Sequence, residues 1–170
     1  MTAPQQAHSA PTVTQTSLPA DARALSTLPR IDYEDAFMVT GVVEHSPRQW
    51  ARAVIDDAPA RVRARLFMGW LALGLRLGLP WSSQRVLGWR VARTEPGWLL
   101  LRADSWLGLR GELLFRREPH GLLFATLVQQ TNPAARTAWA RITDTHQHVV
   151  RSLLTHAANR EQAVAVGAHS

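Results

Sequence analysis

The chain has 170 residues, 46% of them hydrophobic, which is enough for one domain with a real core and too few for two. It contains no cysteine, which excludes disulfides, a thiolate nucleophile and a zinc–thiolate site. The formal net charge of +6 rests on 19 basic residues, all arginine and dispersed along the chain, so no nucleic-acid partner is expected.

Arg61, Arg63 and Arg65 are the only three arginines within five residues, and alternate positions on a helix spread them over about 200° instead of lining them up. No stretch reaches about 18 uninterrupted apolar residues, so no membrane-spanning helix is expected. The opening M-T-A-P-Q-Q-A-H (Met1–His8) lacks the basic region and apolar core of a signal peptide, and the expected location is cytoplasmic.

Residues 1–26 are rich in Pro, Thr, Ser, Gln and Ala without periodicity and read as a disordered leader. One domain is expected over 27–159, followed by a flexible tail over 160–170. Ile31–Val43 reads as an extended entry and first strand. Ser46-Pro47 then starts a short helix to Asp57, with serine capping the free amides and proline at the first helical position. After Pro59 a second helix is expected from Ala60 to Leu77, stopped by Gly78 and Pro80.

The period then changes. Gln84–Arg93, Trp98–Asp104, Leu107–Arg117 and Leu122–Gln130 are strand-length, separated by Glu95-Pro96-Gly97, Ser105-Trp106 and Glu118-Pro119-His120-Gly121. Strands joined this tightly imply an antiparallel meander, giving about five strands with the first. Asn132-Pro133 repeats the cap-and-proline device and launches a final helix to about Ala158. Trp139, Ile142, Val149, Val150, Leu153 and Leu154 fall on one stripe of that helix, about 140° wide. His146 lies near its centre, while Asp144 and His148 fall on the opposite side.

Strand, helix, helix, antiparallel strands and a long C-terminal helix is the order of the α+β helix-grip fold. At residue level the chain is similar to the DUF2867 family of bacterial proteins, most of them actinobacterial. The similarity runs through D-Y-E-D-A-F (Asp32–Phe37), S-P-R-Q-W-A-R-A-V (Ser46–Val54), V-L-G-W-R-V (Val86–Val91), L-L-F-A-T-L-V-Q-Q-T-N-P-A-A-R (Leu122–Arg136) and H-Q-H-V-V-R-S-L-L (His146–Leu154). The resemblance implies an SRPBCC-like (START- or polyketide-cyclase-like) architecture, with two short N-terminal helices and a terminal helix closing a cavity over a curved antiparallel sheet. It carries no catalytic residue across. The strand count is below the six or seven common in that superfamily.

His146 is the sharpest candidate, either a pocket-lining hydrogen-bonding or acid/base group or a core histidine satisfied by a carbonyl or a strand side chain. Trp98, Asp104, Thr126, Trp139 and His146 form the candidate ligand-binding set. Asp104 and Arg102 share a strand face with Trp98 and Leu100, and solvent-facing pairs are the plainer account of them. Aromatic walls among the seven tryptophans suit a flat or lipidic ligand, though core packing explains most of them. Asp144, His146 and His148 do not make a metal site, because helical geometry turns His146 away from the other two.

G-L-R-L-G (Gly74–Gly78) lies in or at the end of a helix and is no phosphate cradle. The expected function is binding of a small apolar or lipid-like molecule, with no cofactor and no metal, by a monomer or homodimer. Cyclase- or dehydratase-like chemistry with His146 as acid/base, supported by Thr126 or Asp104, is the alternative. A further alternative is a membrane-surface or protein-interaction module using the apolar helix 66–79.

Overall fold

The computed structural model describes residues 10–42, 44–78 and 84–167. Seven antiparallel strands form one sheet in the order β1-β2-β7-β6-β5-β4-β3. The strands are β1 (Thr12–Thr16), β2 (Tyr33–Thr40), β3 (Arg85–Val86), β4 (Trp89–Glu95), β5 (Trp98–Asp104), β6 (Leu109–Glu118) and β7 (Gly121–Gln130). The meander β3 to β7 is built from neighbours in sequence. β2 then lies against the far side of β7, with Tyr33 opposite Val128 and Thr40 opposite Gly121.

The helices are α1 (Ala20–Arg23), α2 (Pro47–Ala51), α3 (Ala60–Ala72) and α4 (Pro133–Gly167). Ser46 caps α2 as its sequence suggests. The Gln49 amide donates to Ser46 Oγ at 3.2 Å, and the Ser46 amide donates to Gln49 Oε1 at 2.8 Å. α2 runs directly into a π-helical turn, Arg52–Asp56. That wider turn lets three consecutive side chains, Ala53, Val54 and Ile55, all face the core.

The inner face of the sheet packs Phe37, Leu99, Leu101, Phe115 and Phe124 against the π turn and against Val150 and Leu154 of α4. Each such fully buried side chain stabilises the fold by roughly 1.5–3 kcal/mol. The outer face is buried too. Leu100, Leu114, Leu123 and Leu127 are covered by Leu18, Ala22, Leu25, Leu28 and Ile31 from the segment that links β1 to β2.

Several boundaries differ from expectation. Residues 12–16, placed in a disordered leader, form β1, paired along β2 from Thr12 opposite Thr40 to Thr16 opposite Ala36. Its run T-V-T-Q-T is polar because it is an edge strand, and Ala22 just beyond it is fully buried. With the two-residue β3, the sheet therefore has seven strands rather than about five. α3 stops at Ala72 rather than Leu77, since Gly74 turns left-handed (φ 69°) and Leu75 bridges to Ser105.

The positions expected to end or extend that helix at Leu79, Pro80 and Trp81 lie outside the described residues. The expected tail is helical through Gly167. Arg160 holds that end by donating to the carbonyls of Ala53 (2.9 Å) and Asp57 (2.5 Å), and Glu161 contacts His45 at 2.9 Å. Among the described residues no helix is long and apolar enough to cross a membrane.

Candidate functional site

A cavity of about 90 Å3 lies between the inner face of the sheet and α4, with Leu66 and Trp70 of α3 on a third side. Val54, Leu113, Phe124 and Leu154 give it an apolar wall, and Thr126 and His146 are its polar side chains apart from the indoles. α4 is phased by its first turn. Asn132 Oδ1 accepts from the Ala135 amide at 2.8 Å, and Asn132 Nδ2 donates to the Leu107 carbonyl at 3.0 Å. That anchorage sets which side of α4 faces the sheet, and it turns Trp139 and His146 inward.

The strands supply the rest. Along β2, the period of two sends Tyr33, Asp35, Phe37 and Val39 to the inner face. Asp35 lies directly opposite Thr126 of β7. His146 Nε2 sits 3.2 Å from Thr126 Oγ1 and 3.2 Å from Asp35 Oδ2. Tyr33 OH donates to the same Oδ2 at 2.7 Å and accepts from Gln147 Nε2 at 3.0 Å. The Tyr33 and His146 rings each lie 5.1 Å from the Trp139 ring.

Asp35 is 5% exposed, and its second oxygen, Oδ1, finds no partner among the described residues. A carboxylate oxygen accepts, so the tautomer that pairs His146 with Asp35 is the one with its proton on Nε2. The imidazole is thus oriented from β2 and β7 together, at the polar end of an apolar cavity.

Burial, and then the hydrogen bond to Asp35, push the Tyr33 phenol well above its ordinary value, with the Gln147 contact working the other way. Tyr33 is the chain's single tyrosine, so tyrosinate absorbance reads this group alone. Because the folded value is raised, the folded state keeps a proton that the unfolded chain releases near pH 10; stability is intact below that and falls as pH rises past it. Native protein is expected to develop tyrosinate absorbance at higher pH than protein unfolded in urea, and Asp35→Asn should narrow the gap. Coincident titrations in the two states would contradict the geometry.

Of the residues expected from sequence, Thr126, Trp139 and His146 meet in the cavity wall. Trp98 and Asp104 do not. They share the outer face of β5, where Trp98 packs beside Leu100 with the Arg93 guanidinium 5.2 Å from its ring, and Asp104 accepts from Arg102 at 3.1 Å. Both faces of that strand are apolar, so hydrophobicity alone did not say which one meets α4. Asp104 therefore gives way to Asp35 as the carboxylate near His146.

Asp35 and Tyr33 were not anticipated, although the alternation Tyr33, Asp35, Phe37, Val39 carries the signal, since Phe37 and Val39 are core residues. Asp144 and His148 are exposed on the far side of α4. No group of three or more potential metal ligands forms among the described residues. α3 buries none of its residues. Its Leu66 and Trp70 line the cavity, while Met68 and Leu71 are exposed.

A curved antiparallel sheet gripping a long C-terminal helix, with a cavity between them, makes this a helix-grip domain. No protein-family model matches the chain, that of the DUF2867 resemblance included, and no curated protein matches it. Among solved structures, the crystal structure of CalU16 from Micromonospora echinospora matches at 12% identity and a TM-score of 0.36, covering 94% of this chain and 98% of that one.

Proposed function

We propose that this protein is an SRPBCC-like binder of a small apolar or amphipathic molecule, held between the sheet and α4 with its polar end at His146 and Thr126. One observation carries the reading: an apolar cavity whose polar side chains converge at one end. Trp139 supplies an aromatic wall beside them. The test is native mass spectrometry of the purified protein, alongside a Leu113→Trp variant that fills the cavity. Wild type should carry an adduct that the filled variant lacks, and His146→Ala should weaken binding roughly tenfold, the factor of one hydrogen bond of about 1.4 kcal/mol. A His146→Ala protein that only melts earlier, with unchanged binding, would leave His146 a structural residue.

A second reading, a cyclase- or dehydratase-like enzyme, is favoured by the contact of Asp35 with His146. A carboxylate that orients an imidazole is the arrangement proton transfer uses. Conversion of a bound species to one lighter by a water molecule, in wild type and not in His146→Ala, would establish it.

A further inference from the structure

The wall of the cavity holds two buried donors that nothing in the described protein satisfies. Trp89 is 4% exposed and Trp139 is 7% exposed; both line the cavity, and neither indole Nε1 has a hydrogen-bond partner among the described residues. Leaving a buried N–H unpaired costs about 1–3 kcal/mol, and buried indoles ordinarily find an acceptor. Both rings are held by their surroundings. Trp89 lies over Gly111, where a Cβ would stand 3.3 Å from its Cη2, and edge-on to Trp70. Trp139 is wedged against Tyr33 and His146.

Resting on the ligand-binding reading, we propose that the ligand is a compact neutral molecule bearing a hydrogen-bond-accepting oxygen, such as a ketone, ester or ether, received by the indole N–H groups of Trp89 and Trp139. His146 and Thr126 contact each other and His146 contacts Asp35, so the two indole N–H groups are the buried donors of the wall still without a partner among the described residues, and they add to the polar end formed by His146 and Thr126. No arginine is among the lining residues, and the buried Asp35 carboxylate stands just behind the wall. An anion would therefore meet no counter-charge and a like charge nearby. A cation would likewise meet no carboxylate among the lining residues. Size sets a further limit, since an apolar cavity of about 150 Å3 holds benzene and this one is about 90 Å3.

The test compares acetone, isobutene and acetate, three molecules of one shape and of a size the cavity can hold, by nitrogen–proton correlation spectra of the whole protein. The ketone should bind about tenfold more tightly than the hydrocarbon and shift the indole N–H resonances of Trp89 and Trp139. Trp89→Phe and Trp139→Phe keep a ring and delete the donor, so each should shrink the ketone's advantage while leaving isobutene binding in place. If a variant fails to fold, the indole shifts in wild type decide alone. Equal binding of ketone and hydrocarbon, or a carboxylate bound as tightly as the ketone, overturns this inference and leaves the cavity reading standing. Binding of none of the three overturns both.

Discussion

Replacing Glu112 by alanine is expected to lower the melting temperature by roughly 6–20 °C, the shift that a loss of about 3–5 kcal/mol produces in a chain of this size. Glu112 is 0% exposed, on the outer face of β6 away from the cavity. Its carboxylate accepts from Ser26 Oγ at 2.6 Å, from the Thr27 amide at 3.1 Å and from the Thr27 hydroxyl, and Arg102 Nη1 lies 3.8 Å away. This one side chain therefore fastens the segment that covers the outer face. Alanine would strand those donors inside the protein or release the segment to water. Glu112→Gln keeps the shape and should cost less. Thermal unfolding followed by circular dichroism, with limited proteolysis of residues 18–31, reads both effects; a melting temperature as high as wild type would show that the segment is held by its leucines alone.

Gly121→Ala should be comparably damaging for a steric reason. A Cβ at Gly121 would collide with the carbonyl oxygen of Val39 and stand 3.2 Å from Cα of Thr40. Both obstacles are backbone, so no side chain can rotate away, and the β2–β7 ladder must part at its Thr40–Gly121 end. The loss is expected at or above the ~3 kcal/mol upper end of ordinary overpacking. Hydrogen exchange should show the β2 amides near Val39 opening first. Gly97→Ala is the matched control, because nothing lies within 4 Å of its Cβ; it should stay within about 0.5 kcal/mol of wild type. Two variants of equal stability would mean that the strands separate there at little cost.

The parts of the fold that were legible in the sequence are those with local chemistry. Ser46-Pro47 and Asn132-Pro133 start helices where capping predicts, and the Pro-Gly turns cut the meander at the right places. Helical phase turned His146 inward and left Asp144 and His148 outside. What stayed hidden depends on partners distant in sequence. β1 carries almost no burial signal of its own, because its place is set by β2.

The sheet faces were hard to tell apart because both are covered, so Leu99, Leu100 and Leu101 are all fully buried and the usual alternation is erased. The same ambiguity put Asp104 in the candidate site and left Asp35 out. The helical extension of α4 to Gly167 likewise depends on Arg160 reaching the carbonyls of Ala53 in the π turn and of Asp57 just after it, about a hundred residues earlier.

The place of β2 in the sheet also governs the order in which the molecule can be assembled. The meander from β3 to β7 closes by hairpins and needs only neighbouring residues. β2, however, pairs on its inner side with β7, and Tyr33 waits for Val128. A ribosome must therefore deliver most of the chain before the second strand gains its central neighbour, and pairing across so long a loop slows folding. During that interval β2 is an open edge. Its Glu34 and Asp35 put charge on that edge, a feature that discourages pairing with other chains, and the same Asp35 ends beside His146 in the finished protein.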